Sequence, residues 1–345
     1  MKILVYSIER GDLRLSEESK ARIRKKAEDV RAEVVFTNDH EKAVQEIADT
    51  DILFGYITPA MLTVAKALQW IQAPMSSFGT PSGEYYIFPE LMESNVTLTN
   101  MSGIYSDVIP THVFAFITCF ARDFPTLMRN QLHRRWKRNI TTINLRGKTL
   151  GVIGLGGIGK GVARIGAAFG MRIIAVEPTP QDVPAYVDRM WAPQDVKNLL
   201  READFVVLCL PDAPGTVKII GSEELKAMKT TAFLINIGRG RTVDLQALTH
   251  ALETGMIAGA GLDVFPPGLE PLPSDHPLWA MDNVIITPHC AGSATPSERR
   301  VTVFLENLDR YVEGQELLNR VDKKKMVRVG RGYDIPVYSP LRQTE

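Results

Sequence analysis

The sequence predicts an α/β protein of two lobes, each a doubly wound parallel sheet with helices on both faces. Three observations carry this. Short apolar, β-branched runs alternate with longer stretches of helical periodicity along the whole chain. The runs are continuously apolar rather than alternating, as expected of strands buried on both faces. The series also restarts after one long apolar helical stretch, so a single sheet does not account for all of it.

Taken in order, "KILVYS", "EVVF", "DILFGY", "LQWIQ" and "VTLTN" are the strands of the first lobe. Residues 106–135 then read as one crossover helix. "SD" offers a cap, and Val108, Ile109, Val113, Phe114, Phe116, Ile117, Phe120 and Phe124 follow at helical spacing. Its phenylalanines predict burial on more than one side, with apolar surface left over for a second subunit. The strands "TLGVIG", "RIIAVE", "FVVLCL", "FLINIG", "AGAGLDV" and "NVIITP" build the second lobe. A last helical stretch, 297–312, lies beyond them and is expected to return to the first lobe. The division predicted is 1–104 plus 294–345 for one domain and 105–293 for the other. "HRRWKR", residues 133–138, reads as a solvated helix end, and the tail after Val321 as weakly structured or laid across a partner subunit.

Composition narrows the function. The 345 residues suffice for about two domains. Forty basic and forty acidic residues cancel, so no overall positive field draws in nucleic acid or an anionic membrane. Cys119, Cys209 and Cys290 lie far apart, which gives neither a disulfide framework nor metal-ligand spacing, and points to a reducing, cytoplasmic setting. The longest apolar run, "HVFAFITCFA", is about ten residues, too short to span a bilayer. The N-terminus lacks the longer apolar core of a secretion signal. No metal, nucleic-acid or membrane partner is expected.

The most informative stretch is "TLGVIGLGGIGKGVARIGAAFGMRIIAVEP". Gly154, Gly156 and Gly159 form G-x-G-x-x-G between a strand and a helix, and a second strand ends at Glu177. Gly154 permits the tight turn, Gly156 lets backbone approach a pyrophosphate, and Gly159 lets helix and strand pack closely. The helix N-terminus favours the phosphates. Glu177 would accept hydrogen bonds from the adenosine ribose. A 2′-phosphate there would meet like charge, and Pro178, Thr179 and Pro180 supply no arginine, so NAD is expected rather than NADP.

Three further segments resemble site loops at strand ends, where open parallel sheets bind ligands. "INIGRGRTVD" sets Arg239 between two glycines, "GAGLDVFPPGLEPLP" carries Asp263 and Glu270, and "NVIITPHCAGSA" carries His289. An arginine, an acid and a histidine beside a dinucleotide turn suit hydride transfer on a carboxylate-bearing substrate. The guanidinium matches a carboxylate bidentately, and a histidine can move the hydroxyl proton near neutral pH. His40, His112, His133, His250 and His276 lack such context and read as structural or solvated. Cys290 is expected to point away from His289, as neighbours on a strand do.

In these motifs, taken in order over essentially the whole chain, the sequence resembles the D-isomer-specific 2-hydroxyacid dehydrogenase family. The resemblance implies a Rossmann domain inserted in a flavodoxin-like substrate domain, and a homodimer. Arg239 resembles the arginine holding the substrate carboxylate and 2-oxo oxygen, His289 the general acid/base, Glu270 its carboxylate partner, and Asp263 the residue at the nicotinamide amide. "LPDAPGT", with Pro211 and Thr216, resembles the loop under the adenosine and ribose, and residues 102–107 an interdomain hinge. Gly157, Ile158, Ile237, Gly238 and Gly292 complete the expected cofactor set. "VFPPGL" is a longer spacer than the family's, so Glu270 is assigned by "EPLP" and not by count. The substrate loop, "APMSSFGTPSGEYY", is also longer and lacks the family's aspartate. Either Ser76–Ser77–Phe78 or Ser77–Phe78–Gly79 supplies the amides for the carboxylate, and Ser77, Phe78 and Gly79 are preferred, with Tyr105 at the pocket rim.

No Lys or Arg stands between Trp70 and Ile109, which disfavours a phosphorylated substrate, although Arg10, Arg14 and Arg299 exist. Met75, Phe78, Tyr85, Tyr86 and Tyr105 favour an apolar 2-oxo acid over glyoxylate. The alternatives are a glyoxylate or hydroxypyruvate reductase, a phosphoglycerate-dehydrogenase-like enzyme and, from a different class, an NADH-sensing corepressor-like binding protein.

Overall fold

The computed structural model describes residues 1–7, 15–76, 88–178, 183–211, 213–293, 297–323, 327–329 and 332–334. It divides into two compact units. One comprises Met1–Ile104 and Thr295–Ile335; the other contains Tyr105–Ala294.

The first unit has a parallel sheet of β1 (Lys2–Tyr6), β2 (Glu33–Thr37), β3 (Ile52–Gly55), β4 (Trp70–Gln72) and β5 (Thr97–Thr99), in the order β2-β1-β3-β4-β5. That is a flavodoxin-like order. The helix Ser297–Val312 returns to this unit, where Phe304 stacks on Phe54 at 4.5 Å and on Trp70 at 5.6 Å. Arg300, 1% exposed, donates from Nε to the Pro74 carbonyl at 3.1 Å.

The second unit has β6 (Thr149–Ile153), β7 (Arg172–Val176), β8 (Arg189–Trp191), β9 (Phe205–Leu208), β10 (Phe233–Asn236), β11 (Gly259–Leu262) and β12 (Val284–Ile286), in the order β12-β11-β10-β9-β6-β7-β8. All the pairs in this sheet are parallel. The order reverses at β6, and the crevice beside β6 and β9 is where a doubly wound sheet takes a ligand. The eleven strands expected from sequence are present. The edge strand β8 was not foreseen, because three residues with a leading arginine form no apolar run.

The long helix expected over 106–135 is two helices, Val108–Ala121 and Phe124–Leu132. Asp123 breaks it with a left-handed φ of 54°, and Pro125 sits in the first turn of the second helix, where its missing N–H costs nothing. The spare apolar surface expected on 106–135 does not lie on the first of these helices. Val113, Phe114, Phe116, Ile117 and Phe120 are buried within this unit, and Phe114 and Phe120 stack on Phe169 and Phe233 at 5.2 and 4.7 Å. In the tail, Val327–Val329 pairs antiparallel with Gly332–Asp334, a hairpin where weak structure was expected.

Candidate active site

The expected site residues of the second unit all follow its strands or open the helix after β6. Gly154 leaves β6 with φ 95°, and a Cβ there would come within 2.7 Å of the Cys209 carbonyl oxygen. A Cβ on Gly159 would lie 1.9 Å from the Gly154 oxygen, so the helix Gly157–Ala168 rests directly on the turn. Gly156 differs: nothing lies within 4 Å of the place its Cβ would take. The turn is therefore closed by protein at two glycines and open at the third. The first amides of the following twelve-residue helix have no intrahelical partner. A pyrophosphate fits this cradle by shape and charge. Ile158 packs on the core, and Gly157 approaches Ser106 Oγ closely.

Glu177, half-buried at the end of β7, accepts from the Leu155 N–H through Oε2 at 2.6 Å. The carboxylate is thereby fixed at the rim of the glycine turn. After β9, Thr216 is fully buried. It donates to the Pro211 carbonyl at 2.8 Å and accepts the Ala213 N–H at 3.0 Å, so its hydroxyl folds the Pro211 loop on itself.

Arg239 follows β10 in a backbone clamp. A Cβ on Gly238 would lie 2.6 Å from the Leu210 oxygen, and one on Gly240 would lie 1.9 Å from the Phe265 carbonyl carbon. Only glycine permits both approaches. Buried Asn236 accepts the Gly238 N–H at 3.1 Å and donates to the Arg239 carbonyl at 3.1 Å, and the Thr242 hydroxyl donates to the same carbonyl at 2.6 Å. The guanidinium Nη1 donates to the Gly238 carbonyl at 2.8 Å. Sequence reasoning missed Asn236 and Thr242. Ile237, also expected in the cofactor set, is buried between them.

Glu270 links two loops. Its Oε1 accepts the Phe265 N–H at 2.9 Å, and its Oε2 lies 3.1 Å from His289 Nδ1. The "EPLP" glutamate is thus the one beside the histidine. Arg239 joins the same chain of contacts through Gly240, which packs on Phe265. The His289 side chain is 56% exposed, so the ring stays accessible while Nδ1 is engaged.

Asp263, 1% exposed, turns its carboxylate into the histidine loop. Oδ1 accepts from the Thr287 hydroxyl at 2.5 Å and the Cys290 N–H at 2.9 Å, and Oδ2 accepts the Ala291 N–H at 3.0 Å. The Asp263 carbonyl accepts the His289 N–H at 2.9 Å. His289 itself has φ 51°, a left-handed backbone that costs an ordinary residue energy unless such bonds hold it. The strand geometry expected for His289 and Cys290 does not apply, because β12 ends at Ile286. His112, read from sequence as structural or solvated, reaches this network with Nε2 3.0 Å from Thr287 Oγ1. The Tyr105 ring lies beside Gly292, whose Cβ would come within 3.1 Å of it. The expected substrate loop, Ser77, Phe78 and Gly79 with Tyr85 and Tyr86, lies outside the described residues, as do Arg10 and Arg14. Among the described residues, no helix is long and apolar enough to cross a membrane.

Comparison with known proteins agrees. The sequence profile of the D-isomer specific 2-hydroxyacid dehydrogenase NAD binding domain matches residues 114–291. A glyoxylate reductase of Korarchaeum cryptofilum is 35% identical over 242 residues, which is 68% of this chain and 72% of that protein. The crystal structure of a D-isomer specific 2-hydroxyacid dehydrogenase family protein from Aeromonas salmonicida matches with a TM-score of 0.76 at 28% identity, covering 93% of this chain and 99% of that one. The NAD-complexed enzyme of the same family from Lactobacillus delbrueckii matches with a TM-score of 0.76 at 26% identity, covering 93% and 100%. The glycine cradle open at Gly156, the acid at the end of β7 and this kinship agree: the chain belongs to the D-isomer specific 2-hydroxyacid dehydrogenase family, NAD-dependent oxidoreductases acting on 2-hydroxy acids.

Proposed function

We propose that this enzyme reduces a small 2-oxo acid to the D-2-hydroxy acid with NADH, with Arg239, Glu270 and His289 as its acting side chains. The observation that carries the assignment is the contact chain from Gly240, beside Arg239, through Phe265 to Glu270 and on to His289 Nδ1. When bound, the dinucleotide supplies the hydride. Arg239 binds the substrate carboxylate and draws charge on the 2-oxo oxygen, as a planar guanidinium does well. Glu270 takes the Nδ1–H of His289, which leaves Nε2 to meet that oxygen. In reduction, protonated His289 delivers its Nε2 proton to the oxygen; in oxidation, neutral His289 removes it. Gly154, Gly156, Gly157 and Gly159 cradle the pyrophosphate, and Glu177 receives the ribose. Asp263 sets the His289 loop and borders the nicotinamide. The unit containing β1 to β5 is the substrate domain, to which Ser77, Phe78 and Gly79 belong. The unit containing β6 to β12 is the cofactor domain.

Two readings of the substrate have support. The aromatic residues of the loop favour an apolar 2-oxo acid, whereas the Korarchaeum relative is named a glyoxylate reductase. NADH consumption with glyoxylate, hydroxypyruvate, pyruvate and a branched apolar 2-oxo acid separates them. Turnover of none of these acids would reject both substrate readings.

The homodimer is supported by the second half of the stretch 106–135, on which the sequence placed spare apolar surface. On the helix Phe124–Leu132, Phe124, Met128 and Leu132 recur every fourth residue and are 47%, 60% and 81% exposed, and Trp136 beyond it is 90% exposed. A row of that kind marks an interaction face. Light scattering is expected to give twice the 38.3 kDa chain mass; a monomer mass would reject it. The three cysteines are free, which fits a cytoplasmic enzyme.

A further inference from the structure

We propose that His112, Asp263 and Cys290 form a site for a borderline divalent cation, Zn2+ or Co2+, whose occupancy silences the enzyme. One ligand atom from each of the three side chains lies within 4.8 Å of the other two. His112 Nε2 and Asp263 Oδ1 are 3.7 Å apart. Two ligands on one tetrahedral zinc stand about 3.3–3.8 Å apart, given bonds of about 2.0–2.3 Å. The pair is therefore near ligating distance, and the Thr287 hydroxyl, 3.0 Å from that nitrogen and 2.5 Å from that oxygen, now bridges the two and would give way to the ion.

The donor set selects the ion. An imidazole, a carboxylate and a thiol suit Zn2+ and Co2+, whereas Mg2+ and Ca2+ want oxygen alone. Charge also balances. Asp263 is a buried carboxylate, and the His112 ring lies 3.7 Å from it. Binding exchanges the thiol proton of Cys290 for the metal and releases that proton to solvent. One carboxylate, one thiolate and one neutral imidazole then enclose a dication with no net charge, which suits a half-buried place. His112 and Cys290 are both partly exposed, which gives the ion a path in.

The consequence for activity follows from what Asp263 already does. The oxygen that would ligate the metal now holds the Thr287 hydroxyl and the Cys290 amide. Drawing Oδ1 and Sγ onto an ion strips those bonds from the turn that keeps His289 left-handed and within reach of Glu270. Inhibition would therefore come from displacement of the histidine loop and not from occupation of the substrate position.

Co2+ tests the site directly, since a thiolate ligand gives an intense near-ultraviolet charge-transfer band and tetrahedral geometry gives strong visible bands. The full chain, free of substrate, is titrated with CoCl2. The expected result is a charge-transfer band that saturates at one equivalent, is bleached by Zn2+, is absent in Cys290→Ser, and is weakened at least about tenfold in apparent affinity in His112→Asn. Zn2+ should inhibit wild-type turnover at concentrations that leave Cys290→Ser running at its own metal-free rate. NADH binding by each variant checks that it is folded. A band that persists in Cys290→Ser would place the metal on Cys119 or Cys209 and overturn the proposal, as would the absence of any band in folded wild type. The spectrum is read without substrate, so failure here is separate from failure of the oxidoreductase assignment.

Discussion

His289 Nδ1 lies 3.1 Å from Glu270 Oε2, and the other oxygen of the same carboxylate holds the Phe265 N–H at 2.9 Å. Glu270 is therefore a bracket: one oxygen fixes it to the loop that packs on Gly240, and the other aims the imidazole. In Glu270→Gln a neutral amide takes the carboxylate's place, and the charge-assisted bond that holds Nδ1 is lost. Reduction of the 2-oxo acid should slow about tenfold or more, with NADH affinity nearly unchanged. A wild-type rate, with a hydride isotope effect showing that chemistry is being read, would assign the role to another acid.

Asn236, 1% exposed, braces the backbone of Gly238 and Arg239. Asn236→Leu removes the acceptor of the Gly238 N–H and a donor to the Arg239 carbonyl, which costs about 1–3 kcal/mol where such groups are buried. KM for the 2-oxo acid should rise and kcat should fall, with NADH affinity nearly unchanged. A fall in Tm with wild-type kinetics would make the residue purely structural.

The glycines of the turn should separate folding from binding. In Gly159→Ala the new methyl meets the Gly154 oxygen at 1.9 Å, so the helix must shift, at about 1–3 kcal/mol. In Gly156→Ala the methyl meets nothing, so stability should change by less than about 1 kcal/mol. NADH should nevertheless bind roughly tenfold more weakly or worse, about 1.4 kcal/mol, because the methyl fills the pyrophosphate's place. Thermal melts paired with NADH titrations check both; NADH affinity intact in Gly156→Ala would move the phosphates elsewhere.

On the proposed assignment Glu177 sets the cofactor preference. Its carboxylate, held at the turn by the Leu155 N–H, repels a 2′-phosphate. Wild type should prefer NADH, and Glu177→Ser should narrow the gap by about 1–3 kcal/mol, roughly 5- to 150-fold in kcat/KM ratio. Equal use of both cofactors by wild type would contradict this.

Most strands were legible in the sequence because their runs are largely apolar and β-branched, and the glycine turn because its spacing is set by backbone contact. The break at Asp123 had a signal, the "DFP" that puts Pro125 at a helix start, but the phenylalanine periodicity running through it masked the signal. His289, Arg239 and Glu270 could be found as motifs. Asn236, Thr242 and His112 could not, since their importance lies in hydrogen bonds between segments far apart in sequence, as with His112 and Thr287, or within a turn whose path sequence does not reveal. Cys290 does part from His289, its thiol toward Asp263 and His112 and the ring toward Glu270, but through a turn after Ile286 and not through strand alternation.

On the proposed mechanism His289 moves the proton while the hydride moves. Mixing NADH-loaded enzyme with excess 2-oxo acid in a stopped-flow instrument and following one turnover isolates that step. His289→Ala should bind NADH as wild type does and transfer the hydride about 10²–10⁴ times more slowly. A single-turnover rate in His289→Ala close to that of wild type would contradict the account.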